Sequence, residues 1–199
     1  NWVINQIERL QPMGLPKDAG ALLLFEVDGV KEAVEKEAEE IKAICLEGGA
    51  REVRIAKDAE EANRYWTARR AGFAAVFSAA PTVLAEDVTV PRSRIPDLIR
   101  KVDEICKSYG IEYTVIGHAG DGNLHPSLLT DKKDPEKYKK AEEAMSKIIE
   151  AALEMGGVLS GEHGIGLEKK KFLKKAMHPK AIELMKGIKR LLDPNNILN

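Results

Sequence analysis

The run Gly117-His118-Ala119-Gly120-Asp121-Gly122-Asn123-Leu124-His125-Pro126 sets two histidines seven residues apart around a turn rich in glycine. A strand-like run, Ile111 to Ile116, enters it, and a second, Pro126 to Leu129, leaves it. Asp121-Gly122 is a strong hairpin signal, because both residues tolerate positive φ. In an antiparallel pair His118 and His125 flank the turn and can project to one side of it. Two imidazoles on a stiff hairpin begin a metal site, and a third ligand is needed to complete it. Ser160-Gly161-Glu162-His163-Gly164-Ile165-Gly166 offers one, a carboxylate beside a further imidazole in a glycine-rich bend after a short apolar run. Three of the four histidines fall in these two bends. A Gly-Asp-Gly-Asn turn by itself is most often only a turn; the clustering of histidines argues for more. The glycines do not follow the dinucleotide order G-x-G-x-x-G, and neither bend has the H-E-x-x-H spacing of a helical zinc protease.

These bends need a scaffold, and the composition supplies one. The chain has 199 residues, 44% of them hydrophobic, enough for one sizeable core or a domain with extensions. A net charge of -1 gives no reason to expect a nucleic-acid or membrane-surface partner. Cys45 and Cys106 lie far apart on the apolar sides of expected helices, which suits buried, reduced thiols in a cytoplasmic protein. No apolar run approaches the length of a membrane span, and no signal peptide is visible. The chain opens on Asn1 without a methionine and stops at Asn199 just after a new extended segment begins, so it reads as a piece of something longer.

Strands and helices alternate along it. Asn1 to Leu10 reads as a short helix and Pro12 to Ala19 as a loop. Ala21 to Val27 is an almost continuous apolar run, expected as a central strand closed by Asp28-Gly29. Val34, Ala38, Ile41 and Cys45 recur at helical spacing up to Gly48-Gly49. Glu52 to Ala56 reads as a short strand, and Asp58 as the N-cap of a long helix to about Ser78. The core face expected of that helix carries Ala59, Ala62, Trp66, Phe73 and Phe77, with Arg69 and Arg70 on opposite margins. An Arg there can snorkel to water, or clamp a carboxylate with its planar fork. Val83 to Val90 alternates as a strand interrupted by Glu86-Asp87, and Ile95 to Tyr109 makes the next helix. Asp134-Pro135 starts another that runs to Gly156-Gly157, and Val158-Leu159 is a short strand into the second bend. Lys169 to Lys175 reads as an amphipathic helix with a solvated basic face, and Pro179 to Leu192 as the last helix.

The strings now in hand carry a family resemblance. Gly117 to His125 resembles the histidine loop of the FAD-linked oxidase C-terminal domain. This is the cap domain of the group that holds the D-lactate dehydrogenases, the flavin-bearing glycolate oxidases and the D-2-hydroxyglutarate dehydrogenases. The same group shows Glu-Val-Asp-Gly after an apolar strand (Glu26 to Gly29 here), Trp-x-x-Arg (Trp66 and Arg69) and Glu-Asp-Val-x-Val-Pro-Arg (Glu86 to Arg92). It also shows Ser-Gly-Glu-His-Gly-Ile-Gly (Ser160 to Gly166) and Asp-Pro-x-x-Ile-Leu-Asn (Asp193 to Asn199). The motifs follow in order over nearly the whole chain.

The resemblance implies a ferredoxin-like α+β fold, a mostly antiparallel sheet with helices covering one face, where alternation alone suggests a parallel α/β sheet. It implies FAD held mainly by an N-terminal domain absent here. It implies metal ligands at His118, His125 and Glu162, with zinc or another divalent transition ion expected. The catalytic base maps onto His163 and the carboxylate-binding arginine onto Arg69. Asn123 would line the site, and Asn199 would approach the flavin. The implied reaction is oxidation of a small 2-hydroxy acid such as D-lactate or glycolate, inactive in this fragment alone. Any membrane association would come through an electron-transfer partner. Where some members carry a substrate-binding Lys this chain has Ala85, and where some carry a Thr it has Phe73; both argue against a dicarboxylate. A self-sufficient metal-dependent hydrolase and a non-catalytic binding module are the alternative readings.

Overall fold

In the computed structural model, residues 2–10 and 12–198 are described, so Asn199 and its expected approach to a flavin lie outside the described residues. The elements run α1 (Trp2–Leu10), α2 (Lys31–Glu47), α3 (Ala59–Phe77), β1 (Thr82–Ala85), β2 (Val88–Thr89), α4 (Ile95–Tyr109), β3 (Tyr113–His118), β4 (Asn123–Thr130), α5 (Pro135–Glu154), α6 (Leu173–Ala176) and α7 (Pro179–Leu192). They divide into two compact units, Asn1–Ala75 and Val76–Asn199.

The second unit is an antiparallel sheet organised on β4. The hairpin pairs β3 along one edge of β4, with His118 opposite Asn123 and Ile116 opposite His125. The other edge takes β1, then β2, with Ala85 opposite Ser127 and Val88 opposite Leu124. Every residue of β4 is buried, as expected of a strand paired on both edges and covered by helices. The turn closes through one 3-10 turn over Ala119–Asp121, and Gly122 takes φ 75°. The mixed, antiparallel architecture is α+β, and strand–helix alternation alone pointed to the wrong class.

The helices α4 and α5 supply most of the apolar cover. Leu98, Val102 and Cys106 of α4 meet Ala141, Met145, Ile148 and Ala152 of α5, together with Leu124 and Leu128 of β4. Burial pushes the Cys106 thiol up to about 12, which suits a structural cysteine. Both helices have well-built ends. Asp134 caps α5 by accepting from Lys137 N at 3.0 Å, and Gly110 closes α4 in the left-handed conformation at φ 64°. Val158 adds a single antiparallel bridge to Thr89 in place of the expected strand.

The first unit is helical. Asp58 caps α3 by accepting from Glu61 N at 2.8 Å, and the Glu8 carboxylate holds the following loop through Met13 N and Leu15 N at 2.8 and 2.9 Å. Two expectations fail here. Ala21 to Val27 and Glu52 to Ala56 form no ladder among the described residues, and Leu23 and Phe25 are exposed. Apolar content makes a strand only where a neighbour completes its backbone hydrogen bonds. The buried line of α3 also differs from the one expected. It is Ala68, Gly72, Ala75 and Val76, small side chains, while Phe73 and Phe77 are exposed.

The turn gives a sharp test. A Cβ on Gly122 would stand 2.0 Å from the Val90 carbonyl oxygen, whereas one on Gly120 would meet nothing within 4 Å. Gly122→Ala is expected to cost more than the roughly 1–3 kcal/mol of a strained backbone, and Gly120→Ala about 1 kcal/mol or less. Urea unfolding of the two variants checks this, and equal losses contradict it.

Candidate metal centre

The hairpin presents its histidines differently. His125 sits inside β4 with 2% of its side chain exposed, while His118, at the end of β3, is 47% exposed. Glu162 reaches them from the loop that follows Val158. Its Oε1 lies 2.9 Å from His125 Nε2 and 3.6 Å from His118 Nε2. One ligand atom from each residue falls within 4.8 Å of the others. The side chains expected to share a metal therefore converge on one point. Ligand atoms about 2.1 Å from a tetrahedral ion stand roughly 3.4 Å apart. The His118 contact already has that spacing, and the His125 contact needs to open slightly.

The electrostatics fit the same donor set. Burial pushes the His125 imidazole below its ordinary pKa, and the adjacent Glu162 carboxylate and the Glu86 backbone pull it back up. A neutral imidazole is the form a metal takes. Two imidazoles and one carboxylate, with an open cleft in front, match a catalytic zinc set that keeps a position for substrate. That cleft, of about 370 Å³, is lined by Thr89, His118, Asp121, Asn123, Gly161 and Glu162.

His163 stands beside the three. Its ring stacks on His125 at 5.1 Å between centroids with planes 17° apart, and its Nε2 is 3.9 Å from Glu162 Oε1. The side chain is 52% exposed, open on the solvent side. Asn123 is buried, and its amide donates to Glu162 Oε1 at 3.4 Å, so it touches the carboxylate as well as lining the cleft. Gly161 leaves room for two side chains of the site. A Cβ there would stand 2.5 Å from Thr89 Oγ1 and 2.7 Å from Asn123 Nδ2.

Arg69 lies in the first unit, half-buried, with its guanidinium 5.4 Å from the centre of the Phe73 ring. Arg70 is exposed and bonds back to its own helix, to Thr67 Oγ1 at 3.0 Å and Asn63 Oδ1 at 3.4 Å. The two arginines differ in environment, Arg69 flanking the buried line of the helix and Arg70 on its exposed face, and do not sit on opposite margins as expected.

Two residues at the site escaped the sequence reading. Asp87, fully buried, accepts the backbone N–H groups of Gly161, Glu162 and His163 at 2.9, 3.0 and 2.8 Å. Lys169, expected on a solvated basic face, is instead 4% exposed and paired with Glu86 Oε2 at 2.9 Å. The signal for Asp87 was present, an acidic pair inside an otherwise apolar alternating strand. Lys169 gave none, being one lysine in a run of three.

Residues 1–199 match the family described as FAD linked oxidases, C-terminal domain. The chain belongs to that family. It is 42% identical over 193 residues to the glycolate oxidase subunit GlcD of Bacillus subtilis, covering 97% of this chain and 41% of that protein. The Escherichia coli K12 protein of the same name is 37% identical over 199 residues, 100% of this chain and 40% of the relative. A probable mitochondrial D-lactate dehydrogenase of Danio rerio is 34% identical over 179 residues, 89% of this chain and 36% of the relative. The chain thus spans well under half the length of these curated relatives. Among solved structures, 4-ethylphenol oxidase from Gulosibacter chungangensis superposes with a TM-score of 0.56 at 21% identity, over 85% of this chain and 36% of that one, a likeness of fold. No described helix is long and apolar enough to cross a membrane.

Asp87 supplies a pH test. Burial alone would raise its carboxyl pKa, but the Ser160 hydroxyl and the three backbone donors outweigh this and hold it well below the ordinary carboxylate range. A depressed folded pKa gives stability that is full above the unfolded value of about 3.9 and is lost as pH falls through the folded value. In urea unfolding, the advantage of the parent over Asp87→Asn is expected to stay constant from about pH 7 to pH 5 and to shrink below about pH 4. A difference that does not change with pH contradicts the account.

Proposed function

We propose that this chain is the substrate- and metal-binding domain of a flavin-dependent 2-hydroxy-acid dehydrogenase of the D-lactate or glycolate type. The observation that carries the reading is the convergence of His118, His125 and Glu162 with His163 stacked alongside, in a member of the FAD-linked oxidase family. The relatives' names, which specify glycolate oxidase and D-lactate dehydrogenase, support the substrate class.

Oxidising a 2-hydroxy acid to a 2-oxo acid removes a proton from the hydroxyl and a hydride from Cα. A divalent ion held by His118, His125 and Glu162, zinc being the expected one, would polarise the hydroxyl, and FAD on a separate domain would accept the hydride. The residues of this chain do the rest. His163 accepts the hydroxyl proton at a ring nitrogen, from a position adjoining Glu162 in sequence and in space. Asn123 holds the Glu162 carboxylate and lines the cleft that admits substrate. Arg69 is the proposed carboxylate clamp: its guanidinium pairs with no carboxylate among the described residues and presents a planar fork. Ala85 and Phe73 bring no further charge, which favours a monocarboxylate over a dicarboxylate.

Ligand and base variants are expected to separate. After loading with Zn²⁺, His118→Ala and His125→Ala should lose the bound metal by elemental analysis, and His163→Ala should keep it. Joined to its FAD domain, His163→Ala should lose turnover by about 10²–10⁴-fold, the range for a general base; the chain alone should show no turnover. Metal lost from His163→Ala and kept by His118→Ala would reverse the assignment.

The arginines give a second test. A charged contact in a closed site is worth on the order of 2–5 kcal/mol. In the protein joined to its FAD domain, Arg69→Met should therefore raise KM for D-lactate or glycolate strongly and Arg70→Met little. Equal effects contradict the clamp.

A further inference from the structure

The ligands of the candidate centre come from two distant parts of the chain, a rigid hairpin and a loop of glycines. Opposite His125 and Pro126 the edge strand breaks between β1 and β2, at Glu86-Asp87. Pro126 accounts for the break. The N–H and C=O of a residue in an antiparallel strand point to the same edge. Glu86 N donates to the Pro126 carbonyl at 3.0 Å, and Pro126 has no N–H to return to Glu86. That single bond ties Glu86 to the residue that follows the buried His125.

The next residue grips the other arm. Asp87 takes the amides of Gly161, Glu162 and His163 and the hydroxyl of Ser160, and Ser160 Oγ in turn accepts Gly164 N at 2.7 Å. Three successive amides aimed at one carboxylate fix the backbone of the loop, and with it the Cα–Cβ directions of Glu162 and His163. Lys169 ties the dipeptide down. Its ammonium pairs with Glu86 Oε2 at 2.9 Å and donates to the Asp87 carbonyl at 2.7 Å. Neither Asp87 nor Lys169 lines the cleft in front of the three candidate ligands.

We infer that Glu86, Asp87 and Lys169 are a positioning unit that holds His125 and the Glu162–His163 loop in register, setting the ligand geometry from behind the site. Their effect on metal rests on the metal reading above; the clamp itself rests on the hydrogen bonds. Two other roles for buried charge here fit less well. Asp87 lines neither cleft, and Glu86 and Lys169, which border a second cleft with His163, are engaged with each other as an ion pair. A loop needing only anchorage could be held by apolar packing without burying two carboxylates and an ammonium.

Amide hydrogen exchange and Co²⁺ titration, followed by visible absorption, test this on the parent chain, Asp87→Asn, Ser160→Ala and Lys169→Met. A control, Val102→Ala, weakens the α4 core away from the site. Without metal, exchange at residues 161–163 should quicken by at least about tenfold in Asp87→Asn. Co²⁺ affinity should fall about 10–100-fold, the usual cost of an outer-shell partner, with an altered ligand-field band. Val102→Ala should lower overall stability and leave the band and the affinity as in the parent. If Asp87→Asn does not fold, Ser160→Ala and Lys169→Met carry the test with smaller shifts in the same direction. Unchanged exchange and unchanged Co²⁺ binding in the folded variants overturn the inference. So does an equal change of band in Val102→Ala. A parent chain that binds no Co²⁺ overturns the metal reading, and the exchange data then decide the clamp alone.

Discussion

The candidate site depends on one buried carboxylate. Asp87 has no exposed surface, and an ion taken out of water at that depth is tolerated only when its oxygens are fully engaged. Four donors from the loop after Val158 satisfy it. The relation is reciprocal. The glycines at 161, 164 and 166 give that loop large conformational freedom, and the same bonds that satisfy Asp87 remove much of it. Glu162 then arrives 2.9 Å from His125 with little left to order.

The hairpin contributes stiffness of a different kind. His125 is locked in a central strand, opposite Ile116 of the hairpin, and kept dry enough that burial disfavours its protonated form. His118 and His163 face the solvent side. This division suits the proposed chemistry: a buried, fixed imidazole for ligation, and an open one for taking and releasing a proton. Placing the proposed ligand and the proposed base in neighbouring residues of one clamped loop couples their positions, so that a shift of the loop would move both.

Much of this was legible in the sequence, for local reasons. The hairpin followed from Asp121-Gly122, the caps from Asp58 and Asp134, and α2 from the helical spacing of Val34, Ala38, Ile41 and Cys45, because each signal acts within a few residues. The clustering of histidines in two glycine-rich bends suggested that Glu162 joins His118 and His125, and the family's motifs made the assignment residue by residue, since spacing alone cannot bring a loop 37 residues beyond the hairpin back onto it. The failures are long-range. Ala21 to Val27 had a strand's composition and no ladder partner among the described residues. Phe73 and Phe77 are apolar at helical spacing, yet the buried line of α3 runs through smaller residues that permit closer approach. Lys169 looks like its neighbours until Glu86 is brought to it across 83 residues of chain.

The central claim is that two imidazoles and one carboxylate hold a single divalent ion while the third imidazole stays off it. X-ray absorption at the zinc edge of the zinc-loaded protein reads this directly. The account predicts one ion with two imidazole scattering paths at about 2.0–2.1 Å and oxygen filling the rest of the shell. Three imidazoles in the shell would make His163 a ligand and remove the base, and a shell of oxygen alone would put the metal elsewhere.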